Sequence, residues 1–235
     1  MKKESILSFI KIWWTNAKSM ILLNIVYSAM SLALLPSGLA SVGMANVAGN
    51  LAREQFFFSF KEYWDAIKKC WKQALCAGLI NLLFTVALVL VIWFYLSTSG
   101  VIFVFGMGCC LLALVISSFM KYYLWPQIIM FRMPLWDVYK NAFLFAFLNL
   151  KSNLLIGLVS LLCYALAAVM LLYVPYLLSV PLVVVLGTCF FPGFKQLLVQ
   201  YLVFPFLKEY MIDPYYAAHP DEDVQERNEL GIGEA

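Results

Sequence analysis

The chain has 235 residues, of which 64% are hydrophobic and 12% charged, with a formal net charge of +3 and a mean hydropathy of +0.87. A soluble domain is roughly half apolar and a quarter charged, so this composition excludes an ordinary water-soluble globule. It predicts an all-α, polytopic integral membrane protein whose solvent is the bilayer.

The first predicted element is a hairpin over residues 19–53. Ser19 to Leu35 is apolar, Pro36-Ser37-Gly38 breaks the helix, and Leu39 to Ala52 continues in smaller residues. At 1.5 Å per residue that second arm reaches only about 21 Å against a ~30 Å core, which fits either a short span or a re-entrant arm. Lysines, an apolar run and PSGLA occur in signal-peptide order. Cleavage there would strand the basic segment Arg53 to Lys72 outside, so an uncleaved hairpin is expected.

Within this arm Ser41, Ala45 and Gly49 recur every four residues, a small-residue stripe that lets helices approach closely. Asn46 and Asn50 share a face. Together with Asn24 and Asn81 they form a candidate polar pocket near the bilayer midplane, as in transporters with broken helices.

Next comes FFFSFKEYWDAIKKCWK. Phe57, Phe60, Trp64, Ile67 and Trp71 fall at helical spacing, with Lys61, Glu62, Asp65, Lys68, Lys69 and Lys72 on the other faces. This predicts an amphipathic helix lying in the cytoplasmic interface, with Trp64 and Trp71 as anchors.

Four clear apolar runs follow, Ala74 to Leu96, Val101 to Met120, Leu154 to Val174 and Leu177 to Phe194, none containing Asp, Glu or Arg. The stretch KYYLWPQ (Lys121 to Gln127) ends the second run, and QYLVFPF (Gln200 to Phe206) echoes it 79 residues later. The same offset pairs Lys61 with Lys140, Lys72 with Lys151, Gly78 with Gly157, Gly108 with Gly187, Cys110 with Cys189, Tyr122 with Tyr201 and Pro126 with Pro205. Residues 56–134 and 135–212 therefore read as two parallel repeats, and the chain as about six membrane segments in three hairpins.

Tyr122, Tyr123, Trp125, Tyr201 and Phe204 are expected as headgroup-level anchors, with Pro126 and Pro205 ending or bending the helices where the chain leaves hydrocarbon.

Topology follows from the basic residues. With the Pro36 turn as a hairpin tip, all 16 Lys and Arg return to one face, while the loops around Ser37, Ser97 to Gly100 and Tyr173 to Pro181 carry no charge. Basic loops mark the cytoplasmic side, so both termini are expected there, in a cell membrane. The tail, residues 213–235, holds seven acids against Arg227 (1 − 7 = −6), while residues 1–212 carry 15 − 6 = +9. It is expected to be solvated, disordered and cytoplasmic.

Little in the sequence points to catalysis. The single histidine, His219, lies in the tail, and no phosphate-cradling glycine loop or paired intramembrane carboxylate occurs. Cys70, Cys76, Cys109, Cys110, Cys163 and Cys189 lack metal-ligand spacing and read as small buried hydrophobes. No catalytic, metal or cofactor site is expected, and the absence of acids from the spans disfavours a proton-driven pump.

The segments LLPSGLASVGMANVAG, REQFFFSFKEYWDAIKKCWKQALCAGLI and MKYYLWPQIIMFRMPLWDVYKNAFLFAFLN together resemble the YesL-like family of bacterial membrane proteins. The shared features are a proline and small-residue turn, a Lys72-Gln73-Ala74 entry, a Tyr122 to Pro126 exit and a Lys140-Asn141-Ala142 helix, up to about residue 212. Pro36-Ser37-Gly38 stands where the family more often has Pro-Ala-Thr. The resemblance implies a helical fold and a membrane setting. It carries no established activity, but its members are often encoded beside carbohydrate-uptake systems of Gram-positive bacteria.

The function expected is therefore an accessory or interaction partner of a membrane system, tied to carbohydrate uptake. The alternative is a small-solute permease using the asparagine pocket. The expected partners are the bilayer and a membrane protein or second copy, with no nucleic acid.

Overall fold

The computed structural model describes residues 6–34, 36–53, 59–97, 101–131 and 133–218. Helices occupy nearly all of them: α1 (Ile6–Leu32), α2 (Ser37–Ala52), α3 (Ser59–Leu96), α4 (Val101–Met130), α5 (Leu135–Leu148), α6 (Leu150–Tyr173), α7 (Tyr176–Val185), α8 (Phe191–Leu207) and α9 (Asp213–Ala218). Five-residue π-helical turns join α7 to α8 (Leu186–Phe190) and α8 to α9 (Lys208–Ile212). Four stretches are long and apolar enough to cross a membrane: Phe60–Leu96, Phe103–Met130, Leu150–Tyr173 and Tyr176–Tyr215.

The short helix α2 is the axis of the bundle. Its sequence, SGLASVGMANVAGNLA, is uncharged and rich in small residues, and ten of its sixteen residues are buried. Ala40, Val42, Ala45, Val47 and Ala48 are buried accordingly, among α1, α3, α4 and α8. Closest approach is made where glycines remove the Cβ. A Cβ on Gly38 would strike the Ala74 carbonyl oxygen and lie 2.8 Å from Gly78 Cα, and one on Gly43 would lie 2.7 Å from the Tyr63 ring.

The Gly38 and Gly78 crossing fixes the depth of the hairpin. Gly78 lies 18 residues (96 − 78) before the end of α3 at Leu96, about 27 Å along that helix. The Pro36 turn therefore stops well short of the far end of the long hairpins.

Helix α1 is seated on the π turn, antiparallel to α8. Pro192 has no N–H to bond the carbonyl of Thr188 four residues back, and Ser28 Oγ donates to that oxygen instead, at 3.1 Å. One residue on, Asn24 Nδ2 donates to Cys189 O at 2.7 Å. Gly193 makes room, since a Cβ there would lie 2.5 Å from Asn24 Oδ1. Phe9 and Trp13 complete the seam edge-on to Phe194, at 5.4 and 5.7 Å.

Several expectations need correction. The segment after Ser59 is not a separate interfacial helix: α3 runs 38 residues without a break, about 57 Å. Nothing between Lys61 and Ala77 is Gly or Pro, so the helix has no reason to stop. The face it buries is Tyr63, Ala66, Ile67, Ala74 and Ala77, against α2 and, for the alanines, also α4 and α5, while Phe60, Trp64 and Trp71 are exposed. Only Ile67 belongs to both the expected and the observed face; Phe57 lies outside the described residues.

The two prolines do not end their helices, since α4 continues through Pro126 to Met130 and α8 through Pro205 to Leu207. Helix continues past Ile212 through α9, so the tail boundary expected at residue 213 falls inside helical chain; residues 219–235 lie outside the described residues. Cys76 and Cys109 are exposed and the other four cysteines half-buried, so none is a core residue.

Candidate functional site

A cavity of about 540 Å³ opens beside the α1–α2 turn. Its floor is the start of α2 at Ser37 and Ser41, its sides are Gly78, Asn81 and Thr85 of α3 with Ser118, Lys121, Tyr122 and Trp125 of α4, and Tyr27, Tyr164, Phe191, Lys195 and Gln196 close it from α1, α6 and α8.

Two ammonium groups dominate its electrostatics. Lys121 Nζ donates to Thr85 Oγ1 at 3.4 Å. Thr85 is 11 residues (96 − 85) from Leu96, so this charge sits about 17 Å from that end of α3. Lys195 Nζ lies 5.9 Å from the centroid of the Tyr122 ring, within cation–π range. No Asp or Glu among the described residues lines the cavity.

The remaining polar groups are mostly turned into the protein. Ser37 Oγ donates to Leu34 O at 2.6 Å and Ser41 Oγ to Ser37 O at 2.8 Å. Asn81 Nδ2 donates to Ala77 O at 2.9 Å and to Tyr139 Oη at 3.1 Å, while Tyr139 itself donates to Ala77 O. Burial pushes the Tyr139 phenol up to about 12, so it keeps its proton across the physiological range. Gln196 Nε2 is a buried donor with no partner.

The four asparagines expected to share a pocket do not meet. Only Asn81 lines the cavity. Asn24 is spent on the π turn. Asn46 Nδ2 donates to Glu62 O at 3.2 Å and reaches Glu62 Oε2 at 3.5 Å, beside the start of α3. Asn50 Oδ1 accepts from Arg53 Nη2 at 2.6 Å, part of the closure of α2 in which Arg53 Nε also donates to Gly49 O. The guanidinium lies 5.3 Å from the Phe204 ring centroid, and desolvation by burial pulls Arg53 down to about 10.

The small-residue stripe divides among three environments. Ser41 faces the cavity, Ala45 packs in the cluster of α2, α3 and α4, and Gly49 lies beside Gln200 of α8, where an added Cβ would make an ordinary contact at 3.6 Å from Gln200 Oε1.

The expected anchors divide as well. Tyr122, Tyr123 and Trp125 are buried at 7%, 0% and 8% exposure, so they pack between helices instead of meeting lipid headgroups. Tyr123 Oη donates to Asn153 Oδ1 at 2.9 Å, and Asn153 Nδ2 donates to Ala146 O, holding the start of α6 against α5. Phe204 is buried under Arg53, and Tyr201 is half-buried against Phe9 at 5.7 Å. Trp64 and Trp71 do face outward.

Sequence reasoning missed Lys121 and Lys195 as site residues because it assigned both to the membrane edge. No sequence signal separates them: neither has an acid within four residues on either side, but the same holds for Lys11, Lys18, Lys72 and Lys151.

Among the described residues no three His, Cys, Asp or Glu side chains gather as a metal site requires. Residues 20–92, 73 of the 235, match the family described as "Protein of unknown function, DUF624". That segment carries the hairpin tip and the α3 wall of the cavity. No curated protein and no solved structure matches the chain.

Proposed function

We propose that the chain is a membrane-embedded facilitator that takes a small polar solute into the cavity around Ser41, Asn81, Lys121 and Lys195. The observation that carries this reading is a space of about 540 Å³ between the long apolar helices, whose walls mix apolar side chains with Ser41, Asn81, Thr85, Lys121 and Lys195. Protein interiors are otherwise close-packed, ionisable side chains inside a membrane domain are costly, and 300–1,000 Å³ is the usual volume of a small-molecule site.

The architecture that goes with it is six membrane segments in three hairpins within the YesL-like family, both ends cytoplasmic, the last two hairpins being a parallel repeat. The Pro36 hairpin enters partway and supplies the cavity floor. In the repeat register, Cys70 within α3 corresponds to Asn149, at the break between α5 and α6, so the two units differ by one helix break.

A second reading, an accessory partner of a membrane system such as one for carbohydrate uptake, draws on a different observation. Leu83, Leu90 and Trp93 of α3 and Leu161, Leu166 and Leu172 of α6 are exposed, and another membrane protein or a second copy covers such faces as well as lipid does. Neither reading includes a catalytic step.

The test is uptake of a solute panel, including neutral sugars, amino acids and organic acids, into vesicles holding the purified protein. Leu82→Trp and Thr85→Trp fill the cavity from α3. We expect the parent to move at least one solute and each filled variant to lose that flux by tenfold or more while keeping its melting temperature within about 3 °C, the shift of roughly 1 kcal/mol for a chain of this length. Undiminished flux through both filled variants overturns the proposal. A parent that moves nothing, yet co-purifies stoichiometrically with one membrane protein, transfers the case to the accessory reading.

A further inference from the structure

We propose that the cavity selects an oxyanion, a phosphate or carboxylate, held between the ammonium groups of Lys121 and Lys195. This inference rests on the solute-site reading above and names the class of solute.

The argument begins with uncompensated charge. Two lysines line one cavity and no Asp or Glu among the described residues lines it with them. Their protein partners are a hydroxyl, Thr85 Oγ1, for Lys121 and an aromatic face, Tyr122, for Lys195. Neither contact neutralises a positive charge. A charge taken out of water is normally paired or hydrogen-bonded to its full donor capacity, and each ammonium has three donors. No described residue supplies a negative partner, and an oxyanion does.

Two further features have the same sign. The amide Nε2 of Gln196, one residue from Lys195, is a buried donor without an acceptor. Ser37, at the N-terminal end of the 16-residue α2, lines the floor where no side chain caps the helix, so the partial positive charge of that helix end lies near the same space. Two ammonium groups and the Gln196 amide therefore offer donors to this space, with no described carboxylate to receive them. A cationic solute meets two like charges, and a neutral sugar leaves both ammonium groups unpaired. An oxyanion, with several strong acceptors and a negative charge, satisfies them together.

The same chemistry can arrive as a free solute or on a lipid headgroup, because α3 and α6, which both line the cavity, also present bare apolar surface. The experiment separates the two sources. The full-length protein in nanodiscs made only of phosphatidylcholine is titrated with inorganic phosphate, with lactate and with a neutral disaccharide, at constant ionic strength, following its melting temperature. In a second arm, nanodiscs containing phosphatidylglycerol at increasing fraction are compared with phosphatidylcholine alone.

We expect a saturable rise in melting temperature with phosphate or lactate if the source is soluble, or with phosphatidylglycerol if it is lipid, and none with the disaccharide. Lys121→Gln and Lys195→Gln should each weaken that binding about tenfold or more, as expected for losing a charged hydrogen bond. Lys121→Arg and Lys195→Arg, which keep the charge, should retain most of it and guard against a variant that merely folds poorly.

Stabilisation by neither anion source, or anion binding unchanged in the double glutamine variant, overturns the inference. If the disaccharide or another neutral solute binds equally well to the parent and the double glutamine variant, and the Trp-filled variants abolish that binding, the solute site stands and the anion selectivity fails.

Discussion

Gly38 shows how much a single missing methyl decides here. Its backbone lies against Ala74 O and Gly78 Cα, neither of which belongs to a flexible side chain, whereas Gly49 faces the movable end of Gln200 at 3.6 Å. Gly38→Ala should therefore lower the melting temperature in detergent by the equivalent of about 1–3 kcal/mol, the usual cost of overpacking. Gly49→Ala should be close to neutral, and a larger loss at Gly49 than at Gly38 would contradict the crossing. The every-fourth-residue stripe was legible in the sequence, but it pointed to Ser41, Ala45 and Gly49. Which small residues make the closest contact depends on the angle at which α2 crosses α3, and one-dimensional spacing does not contain that angle.

At the scale of elements, α3 combines two kinds of helix in one rod. The apolar second half was readable from its run of uncharged residues. The first half was read as a separate amphipathic helix in the membrane interface, anchored by Trp64 and Trp71. Three faces of that segment carry aromatic or apolar residues, and the presence of α2 selects the one containing Tyr63. Tyr63 is fully buried against Gly43 and its Oη donates to Met30 Sδ at 3.5 Å. Truncating it, Tyr63→Ala, should cost about 3–5 kcal/mol, as for other large buried aromatics. Trp64→Ala, one residue along and 40% exposed, should cost under about 1 kcal/mol. Equal losses, measured by thermal unfolding of the two variants side by side, would mean that the buried face has been misassigned.

Over the whole molecule, the partial depth of the Pro36 hairpin is the feature with most consequence. The turn and the loop after α3 were expected as two loops of the same face, yet they are separated by about 27 Å along α3. Nitroxide labels at Ser37 and at Ser97, in a cysteine-free background in nanodiscs, should report this through oxygen and nickel-chelate accessibility. Ser97 should behave as a loop residue exposed to the aqueous chelate, and Ser37 should lie deeper, screened from it on the Ser97 side. Matching accessibility at the two sites would restore the full-length hairpin.

Composition and the length of the uncharged runs were enough to determine a helical membrane protein, because the bilayer demands internally hydrogen-bonded segments of about 20 apolar residues whatever their neighbours are. The same holds for the break at Pro36, which proline imposes locally. Tertiary structure alone decided where the polar groups went. Lys121 and Lys195 lie 74 residues apart (195 − 121) and come from different hairpins, and the four asparagines were dispersed to Cys189, Glu62, Arg53 and Tyr139. A long lysine or an asparagine reads the same in sequence at a membrane edge, at a helix end or in a cavity. Its environment is set by which helices close around α2, and so by packing between segments that the linear order does not specify.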